Sequence, residues 1–123
     1  MDKIENEFAS FFLKDGILHF IYKPNTELDV DAAKKVVEDR KTIQKGKSYP
    51  VLCDIRGLKD VDKVARDFLA KEGSSLVDAV ALVVDSPAYE FMANFYLKVS
   101  KPDVPTKMFS SMEEALEYIK KFK

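Results

Sequence analysis

The spacing of apolar and polar residues divides the chain into nine elements in the order β-β-α-β-α-β-α-β-α. An aromatic-rich run at residues 8–14 is followed by Asp15-Gly16 and a second apolar run, which predicts an antiparallel hairpin. Later apolar runs alternate with amphipathic stretches, as in parallel strands joined by helices. We therefore predict an α/β fold with a mixed, largely parallel five-stranded sheet, an N-terminal β-hairpin and four helices, in one domain over residues 1–123.

Local signals set the bounds of these elements. The runs at 49–55 and 79–84 are apolar without alternation, which indicates central strands covered on both faces. Asp29, Ser86 and Ser111 are predicted N-caps, and helical spacing marks the residues that follow each of them. The second helix is predicted from a stripe at Val61, Val64, Ala65, Phe68 and Leu69. The predicted strands are 8–14, 17–23, 49–55, 79–84 and 105–109, and the predicted helices are about 30–45, 61–72, 87–101 and 112–122.

Composition narrows the classes of function. The chain has 20 Lys and Arg residues against 21 Asp and Glu residues, so it lacks the overall basic field that collects nucleic-acid phosphates. No stretch approaches the roughly 20 apolar residues of a membrane span, and the N-terminus has no apolar signal-peptide run. Cys53 is the only cysteine, which fits a reducing compartment. We expect a cytoplasmic protein that binds no nucleic acid.

The chain offers little catalytic chemistry. Cys53 and His19 are the only cysteine and histidine, and so the obvious nucleophile and base. Cys53 falls inside a buried strand, however, and His19 alternates with Ile17 and Ile21 in an outer strand, so both are interpreted as ordinary strand residues. The 4 glycines form neither a G-x-G-x-x-G nor a Walker loop. We predict no catalytic residue, no metal site, no cofactor and no enzymatic activity.

Polar residues follow the two buried strands at their carboxyl ends, where open α/β sheets bind ligands. Asp54 and Arg56 follow one strand, and Asp85 and Ser86 follow the other. The next helices begin here, and their free N–H groups favour anions. We therefore propose these four residues as a candidate ligand-binding site. The alternative is that the two aspartates only cap turns, with Arg56 as their ion-pair partner.

The helix predicted over 87–101 has a wider apolar surface than packing on the sheet alone can bury. On a wheel of ~100° per residue, its apolar residues span roughly 240°, far wider than a usual stripe of ~100°. Packing on the sheet is expected to bury the centre of this arc, around Met92 and Val99, but not both margins. We propose Phe91, Ala93 and Leu97 as a candidate interaction surface. Either a neighbouring helix of the chain or a second protein would cover it, and a symmetric homodimer is the default form.

Asp54, Leu58, Val61 and Asp62 match a motif that ends the third strand of bacterial anti-sigma-factor antagonists. With the element order, they make the chain similar to STAS-like (SpoIIAA-like) domains. That family has a phosphoacceptor serine where this chain has Lys63. The resemblance therefore implies a non-enzymatic regulatory or protein-interaction module that lacks this phosphorylation switch.

The C-terminal half is similar to bacterial STAS-like proteins whose fold is related to CRAL-TRIO lipid-binding domains. The similar stretches are 81–87, 94–96, 101–102, 105–109 and 114–116. This resemblance implies an alternative function, the binding of a small apolar or lipid-like ligand. A cavity large enough for a ligand would favour the alternative, whereas a filled core with an exposed apolar patch would favour the interaction module.

Overall fold

The N-terminal hairpin forms as the sequence predicts. In the computed structural model, which describes residues 3–123, strands β2 (Ala9–Lys14) and β3 (Ile17–Tyr22) pair antiparallel. Asp15 and Gly16 both have positive φ, 53° and 76°, the backbone that a two-residue hairpin turn requires. A short strand, β1 (Lys3–Glu5), pairs with the outer edge of β2.

Three further strands, β5 (Tyr49–Asp54), β7 (Val77–Val83) and β8 (Thr106–Phe109), continue the sheet from β3, and each pairs in parallel with its neighbour. Within the described residues, six strands therefore form the main sheet, in the order β1-β2-β3-β5-β7-β8. The predicted mixed, largely parallel α/β fold is confirmed. The sheet has one strand more than the five predicted, because β1 is short and mostly polar and gives no apolar run.

Four α-helices are found in the described range, as predicted. They are α1 (Val30–Gln44), α2 (Lys63–Lys71), α3 (Pro87–Phe95) and α4 (Met112–Ile119). The side chains of Asp29, Ser86 and Ser111 accept backbone N–H groups at the starts of α1, α3 and α4, so these three caps are confirmed. After α3 the chain continues as a π-helical turn, Tyr96–Ser100.

The stretch predicted as the start of the second helix is instead a strand. Strand β6 (Leu58–Val61) pairs in parallel with β4 (Thr26–Leu28) in a separate two-stranded sheet. Asp62 then caps α2. Val61 is therefore buried by strand pairing, and Val64 is 61% exposed on the helix. The helical spacing of these two valines is a coincidence of sequence.

The two faces of the main sheet carry separate cores, because side chains alternate along each strand. Helices α1, α2 and α3 cover one face, here called the three-helix face. Its strand residues include Leu18, Phe20, Tyr22, Val51, Cys53, Val80 and Leu82. The opposite side is here called the α4 face, and its buried residues include Leu52, Ala79, Ala81, Val83, Ala115 and Ile119.

Candidate functional site

A cavity of about 120 Å³ lies between the three-helix face of the sheet and the helices that cover it. Its walls are mainly apolar. Phe20, Val51, Val80 and Leu82 belong to the sheet wall, and Val37, Leu69, Met92 and Ala93 belong to the helix wall. An engineered cavity of roughly 150 Å³ in another protein is enough to bind benzene. The space therefore suits a small organic molecule rather than a long lipid chain.

Five ionisable side chains also line this cavity, and four of them form one group: Tyr22, Arg40, Cys53 and Tyr96. They lie close enough to influence one another electrostatically. Burial disfavours the charged form of each acid, which raises the pKa of Tyr22, Cys53 and Tyr96. All three therefore stay protonated at neutral pH and add uncharged hydrogen-bond donors to the cavity.

Arg40 brings a positive charge into this interior, where only 2% of the residue is exposed. Its Nη1 donates to Gln44 Oε1, and its Nη2 donates to Gly73 O (3.3 Å) and Ser75 O (2.9 Å). All three acceptors are neutral, and no carboxylate of the described residues forms an ion pair with Arg40. Burial lowers the pKa of Arg40 to about 10, so the guanidinium remains charged at neutral pH.

Arg66 of α2 lies where the cavity wall reaches the protein surface. Its Nη1 donates to Val61 O (2.8 Å), and its guanidinium lies 4.8 Å from the ring centroid of Phe95. The Nε atom is buried, with no hydrogen-bond partner among the residues that the structure describes. Arg66 is half-buried and Phe95 is 37% exposed. This pair therefore lies between the cavity and solvent.

The structure brings the four polar residues of the candidate strand-end site to one edge of the sheet. Asp54 accepts from the Arg56 backbone N–H (3.0 Å), Nε (2.9 Å) and Nη2 (2.7 Å). Asp54 foremost, and Asp85 to a smaller degree, raise the pKa of Arg56. Ser86 Oγ accepts from Tyr89 N–H at the start of α3. These contacts are those of the turn-capping alternative, and a ligand at this edge stays a prediction.

The candidate interaction surface on α3 is only partly exposed. Phe91 is 74% exposed and Leu97 is half-buried, but Ala93 is 1% exposed and lines the cavity. The assignment of Ala93 to the surface is corrected, because Ala93 lies on the side of α3 that faces the sheet and the cavity. Val99, expected in the buried centre, is 56% exposed. It follows Phe95 by one π-helical turn, where the wheel of ~100° per residue no longer applies.

Cys53 and His19 face opposite sides of the sheet. Cys53 of β5 pairs with Phe20 of β3, and the next pair along these strands is Leu52 with His19. Neighbouring residues of a strand point to opposite faces of the sheet. His19 stacks on Phe12 at 4.5 Å between ring centroids. Within residues 3–123, no group of three or more His, Cys, Asp and Glu residues could hold a metal, and no helix is long and apolar enough to cross a membrane.

One protein-family model matches nearly the whole chain. The model of a domain of unknown function, DUF7793, matches residues 11–123. The chain belongs to the DUF7793 family. No curated protein matches this DUF7793 chain significantly.

Solved structures show the fold of this DUF7793 domain. It is similar to an uncharacterized protein of the DUF3478 family with a SpoIIAA-like fold from Shewanella loihica PV-4. The two are 14% identical, with a TM-score of 0.63, over 94% of this chain and 98% of that chain. A protein of unknown function from Arthrobacter sp. FB24 is 26% identical over 89% of this chain and 97% of that chain, with a TM-score of 0.35. The first likeness confirms the STAS-like resemblance at the level of fold.

Sequence reasoning missed the cavity of this DUF7793 domain and the arginine inside it. A signal for the arginine was present, because Arg40 follows Ala33 by seven residues and Val36 by four on the apolar face of α1. Tyr22 likewise follows Phe20 by two residues on the buried side of β3. The cavity itself has no sequence signal, since its volume depends on how side chains from several elements fit together.

Proposed function

We propose that this DUF7793 protein is a non-enzymatic binding protein that holds a small apolar ligand in the cavity of its three-helix face. The observation that carries the proposal is about 120 Å³ of unfilled space inside the larger core. Protein interiors are normally packed as densely as organic crystals, so incompletely filled space beside a core is unusual. A ligand that fills this space would bury the apolar side chains that line it.

The walls of the cavity limit the ligand. By comparison with benzene-binding cavities, the volume suits a compact molecule built on a single six-membered ring. Arg66, Met92 and Tyr96 line the cavity and are only half-buried. Rotation of these side chains offers a route between solvent and the interior without unfolding of the sheet.

Toluene is a neutral probe of matching size. We expect saturable shifts in the amide NMR spectrum from residues of the three-helix face. Ala93→Leu adds bulk to the cavity wall and should weaken toluene binding at least tenfold. Ala88→Leu is the matched control, because Ala88 is exposed on the same helix, and this variant should bind as wild type does.

Two results would contradict the proposal. One is the absence of saturable shifts in the wild-type protein at millimolar toluene. The other is equal affinity of wild type and Ala93→Leu, which would place the probe outside the cavity.

A second candidate is the regulatory or protein-interaction module that the STAS-like resemblance implies. A stripe of apolar residues on α3 and its π-helical extension favours it: Phe91, Phe95 and Val99 are 74%, 37% and 56% exposed. The rings of Phe91 and Phe95 lie 6.5 Å apart and form a continuous patch. Exposed apolar patches commonly mark protein interfaces, and a homodimer is the default form.

Light scattering after gel filtration tests the homodimer. Wild-type protein should elute as a dimer and Phe91→Glu as a monomer, with a melting temperature close to that of wild type because Phe91 is exposed. Asn94→Glu, an exposed polar position of the same helix, is the charge-matched control and should remain a dimer. A monomeric wild-type protein at high concentration would contradict the homodimer.

A further inference from the structure

The guanidinium of Arg40 is a buried cation whose partners are all neutral. A charge moved out of water costs several kcal/mol unless an opposite charge lies nearby. The guanidinium has five N–H donors, and the three hydrogen bonds to Gln44, Gly73 and Ser75 use three of them. Two donors and one positive charge therefore remain for a further partner.

The cavity wall has a consistent electrostatic character. Arg40 and Arg66 both line it, and no Asp or Glu of the described residues does. The hydroxyl groups of Tyr22 and Tyr96 stay protonated because burial raises the pKa of each phenol. The interior thus presents positive charge and neutral donors, which together are complementary to a carboxylate.

The remainder of the wall is apolar, and the space is small. A ligand that fits both parts has one anionic end and a compact hydrocarbon body. We propose that the cavity takes a small apolar monocarboxylate, aromatic or short and branched, whose carboxylate pairs with Arg40. This inference rests on the proposed function and names the class of ligand.

A purely structural role for Arg40 makes a different prediction. Its hydrogen bonds to Gly73 O and Ser75 O join α1 to the loop after α2. If Arg40 only joined these segments, the cavity would bind neutral and anionic probes of one shape equally well.

Benzoate and benzyl alcohol separate the two roles, because they are similar in shape and differ in charge at neutral pH. In calorimetric titrations at pH 7, wild-type protein should bind benzoate at least tenfold more tightly than benzyl alcohol. Arg40→Met should lose this preference, with benzoate weakened at least tenfold and benzyl alcohol changed less than threefold. Lys34→Met removes an exposed positive charge from the same helix, so it is the matched control and should keep the preference. Arg66→Met reports whether the second arginine of the wall pairs with the carboxylate instead.

Circular dichroism would establish that each variant is folded. If Arg40→Met does not fold, Tyr22→Phe replaces it. This variant removes one uncharged donor and should weaken benzoate at least threefold without weakening benzyl alcohol.

The outcomes distinguish this inference from the proposed function. Equal wild-type affinity for benzoate and benzyl alcohol overturns the inference, and toluene binding would still support an apolar site. A wild-type protein that binds none of the three probes overturns both. Loss of the preference in Arg66→Met, with the preference intact in Arg40→Met or Tyr22→Phe, overturns the assignment of the carboxylate to Arg40.

Discussion

On the α4 face of the sheet, Ala79 and Ala81 of β7 share one core cluster with Ala115 of α4, and each is 0% exposed. Small side chains let the helix lie close to the strands, and Ile119 completes a tight layer. The three-helix face instead carries Phe20 and large neighbours under three helices. Despite the larger side chains and the greater number of helices, this face encloses the cavity.

The difference between the faces concerns shape rather than hydrophobicity. Bulky side chains and the buried guanidinium of Arg40 line the space between the sheet and helices α1 and α2, and this space is only partly filled. Dense packing gives stability and a single native structure. A face that is left incompletely filled has room for a ligand, so the proposed binding site lies on the less well packed face.

The largest change in stability is expected when a buried alanine on either face is replaced by a larger residue. Ala115→Leu has no space to occupy and should lower the free energy of unfolding by about 3 kcal/mol. Ala93→Leu extends beside the cavity and should change it by less than about 1 kcal/mol. Urea unfolding measures both values. A loss in Ala93→Leu as large as that in Ala115→Leu would remove the distinction between the faces.

A second pair of substitutions removes side-chain volume from the two faces of one strand. Val83 and Val80 of β7 face the α4 side and the cavity side respectively. Val83→Ala should lower the free energy of unfolding by about 2 kcal/mol, and Val80→Ala by about 1 kcal/mol, because Val80 already lacks neighbours on its cavity side. Equal losses, again from urea unfolding, would indicate that the two faces are packed equally well.

Alkaline pH should act mainly on the three-helix face. Burial raises the pKa of Cys53 and of Tyr22 and Tyr96 above their ordinary values of 9.0 and 10.0. An acid whose pKa rises on folding adds stability that is complete below its unfolded pKa and is lost as pH increases beyond it. Stability should therefore fall above about pH 9, by up to about 1.4 kcal/mol per pH unit for each group.

Cys53→Ala isolates the contribution of the thiol to this pH dependence. In this variant the free energy of unfolding should begin to fall only near pH 10, where deprotonation of the two tyrosines in the unfolded chain begins to lower it. The lowered pKa of Arg40 acts in the opposite sense, and only above about pH 10. Urea unfolding from pH 7 to 10.5 measures the onset, and an unchanged onset in Cys53→Ala would contradict a buried, protonated thiol.

The smallest effect is expected at the start of α2, where the STAS-like domains that this chain resembles carry their phosphoacceptor. Lys63 is exposed, and its ion pair with Asp67 (2.7 Å) is a surface pair. Lys63→Ala should change the free energy of unfolding by less than about 0.5 kcal/mol and leave toluene affinity unchanged. A large fall in affinity, measured by the same NMR titration, would place the site at this helix start instead of in the cavity.

The sequence predicts those parts of the fold that depend on local chemistry. Asp15-Gly16 gives the hairpin turn, and Asp29 and Ser86 give two helix starts, because each signal acts within a few residues. Val61 was assigned wrongly because its pairing with Leu28 joins segments far apart in the chain. Long-range pairing of this kind leaves no periodic signal.

For the candidate sites, too, the sequence predicts what depends on local order and misses what depends on long-range packing. Alignment of strand ends correctly predicts that Asp54 and Asp85 come to one edge of the sheet, near Arg56. It does not tell whether their contacts bind a ligand or cap turns. The burial of Ala93 depends on how α3 packs on the sheet, and the cavity depends on side-chain volumes from three helices and five strands.

Intermolecular nuclear Overhauser effects between toluene and the methyl groups of the protein locate the bound probe. Toluene in the cavity should give cross-peaks to the methyl groups of Met92, Val80 and Val37, which line it. Cross-peaks confined to Val99 on the surface, or to Ile119 on the α4 face, would contradict binding in the cavity.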